Sequence, residues 1–331
     1  MLTEFLFVDW AGKPLWVRAA FFAVVLALLV VDLGLLHRES REIGVRESLV
    51  TSAVYSGLGL AFGGWVWWWF GAEPGMNYLT GFALEKALAL DNVFVVALIF
   101  GFFAVPRRLQ HRVLFWGILG VVVLRAVMIG LGAAMIENFS WVLHVFAVFL
   151  IATGIKMVFA SDRAPDLAAN PVVRFLRRRF NVTDELHGER FLVRLPHPKT
   201  GRPVWFATPL LLALVLIELA DVVFAVDSVP AIFAITTDPF VVYTSNVFAI
   251  LGLRALYFAL AAMVQRFHHL KYALALVLIF IGSKIFVADL LGLEKIPPVV
   301  SLTVTFGLLA GGVVWSLIRT RPAAERAAEA S

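Results

Sequence analysis

Nine apolar runs, separated by polar connections, account for most of this 331-residue chain. A helix rises about 1.5 Å per residue, so roughly 20 apolar residues cross the hydrocarbon core of a bilayer. By that measure the runs 16–36, 48–70, 77–103, 112–135, 140–160, 207–236, 242–264, 270–290 and 298–318 predict nine transmembrane helices. The first run contains Asp32 and lacks a small-residue cleavage site, so it reads as a retained span rather than a removable signal. One run breaks the apolar pattern sharply. Within 207–236 stands "LIELADVVFAVDSVP", which places Glu218, Asp221 and Asp227 at membrane depth. An ionised side chain at the centre of a membrane helix costs at least about 2.5 kcal/mol.

Composition agrees with a polytopic membrane protein: 61% of residues are hydrophobic, 15% are charged and the mean hydropathy is +0.89. Cysteine is absent, which removes disulfides, thiolate metal sites and cysteine nucleophiles. The net charge of +5 would suggest nucleic acid in a soluble protein, but here it follows from topology. The segments 37–47, 104–112, 161–206, 265–271 and the tail from Arg319 hold three, three, nine, two and three Lys or Arg residues. The opposite side holds only Lys13, Arg18 and Lys295. The positive-inside rule therefore places the N-terminus outside and the C-terminus in the cytoplasm. No nucleic-acid partner is called for. The run "WVWWWF" (Trp65 to Phe70) falls at a span end and reads as an interfacial aromatic belt, while Gly59 and Gly63 permit close helix contact.

The five remaining basic residues expose a repeat. "EKALALDN" (Glu85 to Asn92, with Lys86) is followed one helix later by Arg125 and two helices later by Lys156. "DVVFAVDS" (Asp221 to Ser228) is followed in the same way by Arg254 and Lys284. Three crossings reverse the chain, so the units 77–160 and 207–290 are expected to be oppositely oriented, as in transporters whose sites lie at the midplane between inverted repeats. An old duplication kept only for packing is the alternative.

Glu218 and Asp221 share a helical face, whereas Asp227 lies nine residues beyond Glu218 and so on the far side of an ideal helix. Pro230 cannot donate to the carbonyl of Val226, which predicts a kink or unwinding there. The pooled candidate ligands are Glu85, Asp91, Asn92, Glu218, Asp221, Asp227 and Ser228, all oxygen donors of the kind that suits Mn²⁺, Mg²⁺ or Ca²⁺. His144, the one histidine in a span, reads as a hydrogen-bonded packing residue. Lys86, Arg125, Lys156, Arg254 and Lys284 would neutralise or gate the vacant site. Internal ion pairing without any ligand stays open, since Asp32, Glu85, Asp91, Glu218, Asp221 and Asp227 set six acids against those five bases.

At these residues the chain resembles the TerC family of integral membrane proteins, which includes the Alx proteins. "ALEKALALDNVFVVALIF" and "ATPLLLALVLIELADVVFAVDSVPAIFAIT" carry the likeness, and "DLGLLHRESREIGVRESLVTSAVY" extends it. The resemblance implies a bacterial inner-membrane protein related to LysE-type transporters, with manganese efflux as its role and tellurium resistance in older naming. It maps the acidic membrane motifs onto Glu85, Asp91 and Asn92 and onto Glu218, Asp221, Asp227 and Ser228. It favours Mn²⁺ over Ca²⁺, which the oxygen donors alone do not separate.

The loop 161–206 contains "RFLRRRF" (Arg174 to Phe180), a basic helix suited to anionic lipid, and then two apolar-rich runs around a Pro- and Gly-containing turn that predict a hairpin. The segment 319–331 reads as a cytoplasmic tail. No G-x-x-x-x-G-K-[ST] loop and no H-E-x-x-H motif occurs, so neither ATP drive nor metallohydrolase chemistry is expected. Two readings of different class follow. One is a non-enzymatic secondary transporter exporting Mn²⁺, with protons as the exchanged ion; the other is a membrane scaffold of a stress-response complex whose buried charges only hold it together. Oligomeric state is not legible in the sequence.

Overall fold

The computed structural model describes residues 9–10, 13–34, 44–139, 141–159, 171–196, 201–260, 270–293 and 296–319; the side chains of Asp32, Asp91 and Arg254 lie outside the described set. Eleven helices and two small hairpins occur among these residues. A two-residue pair, β1 (Asp9–Trp10) and β2 (Lys13–Pro14), precedes α1 (Leu15–Gly34), α2 (Val45–Phe70), α3 (Ala72–Phe102), α4 (Arg107–Asn138) and α5 (Val142–Phe159). A short helix α6 (Pro171–Arg179) and the strands β3 (Leu192–Pro196) and β4 (Pro203–Ala207) lead into α7 (Pro209–Phe233). Then come α8 (Pro239–Leu251), α9 (Leu253–Leu260), α10 (Leu270–Leu290) and α11 (Pro298–Arg319).

Six of these helices are long and apolar enough to cross a membrane: α2, α4, α5, α7, α10 and α11. The three other expected spans coincide with helices that miss that criterion. Along α3, 31 residues in length, lie Glu85, Lys86 and Asp91; α8 has only 13 residues; and in α1 the described apolar stretch is the shorter Ala19–Leu28. The charges at the centre of the bundle are buried, and large apolar side chains cover much of its outside. Arg125 is 1% exposed, whereas Trp68, Phe159 and Leu290 are 76%, 82% and 86% exposed. Hydrocarbon around the bundle demands this arrangement, because it offers polar groups no partner.

Proline and small caps set the helix starts. Pro209 opens α7 after Thr208, and Pro239 opens α8 after Asp238, whose carboxylate accepts from the amides of Phe240 and Val241. The expected run 242–264 is broken. Its helix stops at Leu251, turns through Gly252 and resumes as α9, and the Lys86 ammonium donates to the freed end at the Ala249 carbonyl, 3.1 Å away. A cation is favoured there, since the C-terminal carbonyls of a helix carry partial negative charge. Any side chain at Gly252 would strike Lys86. At Pro230 the expected unwinding does not occur: α7 remains helical through it and ends at Phe233.

The expected hairpin is present, with β3 antiparallel to β4 and Leu192 opposite Ala207. The basic helix is present as α6, carrying Arg174, Arg177, Arg178 and Arg179. Thr208, between β4 and α7, donates its hydroxyl to the carbonyls of Arg190 and Phe191. The hairpin is thus fastened to the first turn of α7.

Packing within the bundle is reciprocal. The helix α3 lies on α8 and α4 lies on α7, while α3 and α7 also touch. The closest pair is α5 with α10. A Cβ on Gly154 would stand 2.7 Å from the Ala275 carbonyl oxygen, and a Cβ on Gly282 would stand 2.7 Å from the Ala147 carbonyl oxygen. Each of these two glycines lies seven residues beyond the alanine that the other one touches. Small residues permit such backbone approach where lipid supplies no hydrophobic drive for association. The expected contacts at Gly59 and Gly63 also occur, against Phe82 and Tyr78.

Replacing Gly154 or Gly282 with valine is expected to force α5 and α10 apart at a cost of about 1–3 kcal/mol. Thermal unfolding of detergent-purified protein checks this. Gly57, which has nothing within 4 Å of its missing Cβ, supplies the control Gly57→Val. Equal melting temperatures for all three variants would contradict the tight crossing.

Candidate functional site

Arg125 organises the middle of the bundle. Residues 119–131 of α4 are otherwise apolar or glycine, so the guanidinium can meet its hydrogen-bonding needs only on neighbouring helices. Its Nη2 lies 2.9 Å from Glu85 Oε1 on α3, and its Nε lies 3.5 Å from Asp221 Oδ2 on α7. Its Nη1 donates to Ser228 Oγ, also on α7. The second carboxylate oxygen of Glu85 accepts from Asn246 Nδ2 on α8 at 3.2 Å. Glu85, Arg125, Asp221, Ser228 and Asn246 are all buried. Two carboxylates thus share one guanidinium. The planar fork of arginine suits this role, because it addresses several oxygens from fixed directions.

Two buried oxygens near this cluster have no hydrogen-bond partner among the described residues, Asn246 Oδ1 and Glu218 Oε2. A buried polar atom left unsatisfied costs about 1–3 kcal/mol, so the Glu218 oxygen invites a proton or a cation and the Asn246 oxygen a cation or a hydrogen-bond donor. Glu218 lies against Gly117 and Gly120 of α4, where there is no room for a Cβ beside the carboxylate at Gly120.

A cavity of about 250 Å³ adjoins the cluster, lined among others by Asn92, Arg125, Lys156, Phe224, Asp227 and Ser228. Asp227 accepts from Thr153 Oγ1 on α5 at 3.4 Å. Because α7 stays helical through Pro230, Asp227 turns toward α5 while Glu218 turns toward α4, as their nine-residue spacing requires.

The structure therefore divides the seven oxygen donors expected from sequence. Glu85, Asp221 and Ser228 meet at Arg125; Asn92 and Asp227 line the adjoining cavity; Glu218 stands on the α4 side; Asp91 is on α3 with its side chain outside the described set. Among the described residues, no three His, Asp or Glu side chains are grouped closely enough to hold a metal. Of the bases, Lys156 lines the cavity, Lys86 caps α8, and Lys284 donates to Ser301 Oγ on α11 at 3.2 Å. Arg254 lies outside the described side chains. His144 is hydrogen-bonded as expected, its Nε2 lying 2.8 Å from Asp289 Oδ2, and its ring meets Phe286 edge-on, but both side chains of the pair are about half exposed rather than packed away. Sequence reasoning passed over Asn246 and Thr153. The polar triplet Thr244, Ser245, Asn246 inside an apolar run was the available signal for the first, while nothing marks Thr153.

Comparison with known proteins gives a family match. The model of the integral membrane protein TerC family covers residues 70–324. An uncharacterized membrane protein of Myxococcus xanthus is 46% identical over 96% of this chain and 97% of its own length. One of Rickettsia felis is 47% identical over 90% of this chain and 96% of its own. A candidate membrane-bound redox modulator of Escherichia coli K12, Alx, is 45% identical over 90% of this chain and 92% of its own. No solved structure matches.

Removing Arg125 alone leaves two buried carboxylates without their shared cation. Arg125→Met is expected to destabilise the protein by about 3–5 kcal/mol. Adding Glu85→Gln and Asp221→Asn to it should restore most of the loss. Thermal melting of the single and triple variants measures both effects, and a single variant as stable as the native chain would refute the assignment.

Proposed function

Because the chain belongs to the TerC family of integral membrane proteins, we propose that it is a secondary transporter exporting Mn²⁺ from the cytoplasm in exchange for protons. In this reading nine helices cross the bacterial inner membrane, with the N-terminus outside and the C-terminus in the cytoplasm. The units 77–160 and 207–290 form an inverted pair. The observation that carries the reading is the meeting of one acid from each unit, Glu85 and Asp221, at a single arginine. The reciprocal contacts of Gly154 and Gly282 support the inversion, because a two-fold relation between the units generates them.

The cargo would meet two groups of oxygens in turn, Glu85, Asp221, Ser228 and the added Asn246 around Arg125, then Asn92 and Asp227 at the adjoining cavity, with Asp91 next to Asn92 on α3 and Glu218 serving as the proton carrier. Carboxylate, amide and hydroxyl oxygens suit Mn²⁺ and also Ca²⁺. Arg125 holds the site in its empty state. A divalent cation entering between Glu85 and Asp221 replaces the guanidinium, so the buried carboxylates are never left uncompensated. Lys156, Lys86, Arg254 and Lys284 complete the charge balance. The basic face of α6 would rest on anionic lipid at the cytoplasmic surface.

A second reading takes its cue from the name of the Alx relatives, a redox role, or from a scaffold role with purely structural ion pairs. This chain has no cysteine, so thiol–disulfide exchange is not available to it. Flux decides between transport and scaffolding.

Purified protein in proteoliposomes is expected to move Mn²⁺ and to drive counterflow of protons. Asp91→Ala and Asp227→Ala should each abolish the movement while the folded fraction stays unchanged. A well-folded double variant with native flux would reject the ligand assignment, and absent flux in the native protein would favour the scaffold. Mn²⁺ at about 100 times its Kd should also stabilise the native protein by about 2.7 kcal/mol.

A further inference from the structure

A second, smaller cavity of about 40 Å³ lies on the hairpin side of the central cluster, among Val96, Leu114, Ile217, Asp221 and Tyr257. It is almost wholly apolar apart from Asp221 and Asn92. The larger cavity beyond it holds Arg125, Lys156, Asp227 and Ser228. Two residues line both cavities, Asn92 and Phe224, and they are therefore the wall between them. Asn92 is buried and Phe224 half-buried. Phe224 stands one turn after Asp221 and three residues before Asp227 on α7. Phe224 therefore stands between the cavity lined by the first acid and the cavity lined by the second.

We propose that Phe224 is the hydrophobic gate of this protein, closing the hairpin-side cavity against the charged central cavity. An apolar ring in a narrow passage excludes water, and without water an ion does not cross. The helical register explains the placement. Three residues on from Asp221 lies the same face of α7, so the residue that blocks the passage is held by the helix that carries the acids at either end. Movement of α7 relative to α3 would withdraw the ring and the acids together. Leu88 occupies the matching position on α3, midway between Glu85 and Asp91, but lines the central cavity alone. The gate assignment rests on the reading of the central cluster as an ion path. It adds to that reading the residue that divides the path.

The absence of native cysteine makes the test direct. Met157 lines the central cavity and belongs to none of the polar contacts described above. Met157→Cys is placed in the otherwise native full-length chain, in membrane vesicles of defined orientation. A charged, membrane-impermeant methanethiosulfonate reagent is then applied from the hairpin side. With Phe224 present, labelling from that side is expected to be slow. With Phe224→Ala added, the rate should rise at least about tenfold, a barrier lower by about 1.4 kcal/mol. Phe224→Leu, closer in volume, serves should the alanine variant fail to fold, and should give a smaller rise in the same direction. Leu88→Ala enlarges the central cavity without breaching the wall and should leave the rate unchanged. Fast labelling in the presence of Phe224, no rise on its removal, or an equal rise with Leu88→Ala would each overturn the gate. Labelling needs no metal flux, so failure of the transport reading and failure of the gate are separately visible.

Discussion

The pairing of Glu85 and Asp221 through Arg125 is the constraint on which the centre of this molecule depends. Burial of any one of the three alone would be prohibitive, and their joint burial is tolerable only because the guanidinium fork satisfies oxygens on two helices at once. That requirement fixes the relative positions of α3, α4 and α7. Asn246 extends the constraint to α8 through the other oxygen of Glu85. Four helices are therefore registered by one polar cluster, and the glycine contacts between α5 and α10 close the bundle beside it.

A cluster built in this way is a poor choice if stability were the only need, since apolar residues of similar volume serve a buried interface as well or better. Its composition is informative for that reason. Two negative groups to one positive group, with an unsatisfied amide oxygen beside them, is an arrangement that favours a further positive charge. The surrounding surfaces are consistent with a path to that point. A small apolar cavity lies on one side and a larger charged one on the other, and between them stands an aromatic ring.

Much of the architecture was legible in the sequence because bilayer thickness ties helix length to apolar run length. The limits of α5, α7, α10 and α11 lie close to the runs that announced them. The hairpin and α6 were legible for local reasons, Pro and Gly in a turn and an arginine-rich amphipathic stretch. The break at Gly252 was not, because glycine in an apolar run is usually neutral; its necessity comes from Lys86, more than 160 residues earlier. Of the kink or unwinding expected at Pro230, the unwinding does not occur. The proline stands close enough to the end of α7 that losing one amide donor does not interrupt the helix. At the site, the repeat singled out Glu85, Arg125, Asp221 and Ser228 by type and spacing. The partition of the acids among different neighbours could not be read in advance, since it depends on which helix each face of α7 meets. Asn246 and Thr153 escaped because ordinary polar residues acquire meaning only from a carboxylate contributed by another helix.

The two carbonyl bonds made by Thr208 have a mechanical consequence. They tie the chain that enters the β3–β4 hairpin to the residue that opens α7, so the hairpin is anchored to the acid-bearing helix at both of its ends. A displacement of the hairpin would thus be felt first at the opening turn of α7, the helix that carries Asp221, Phe224 and Asp227.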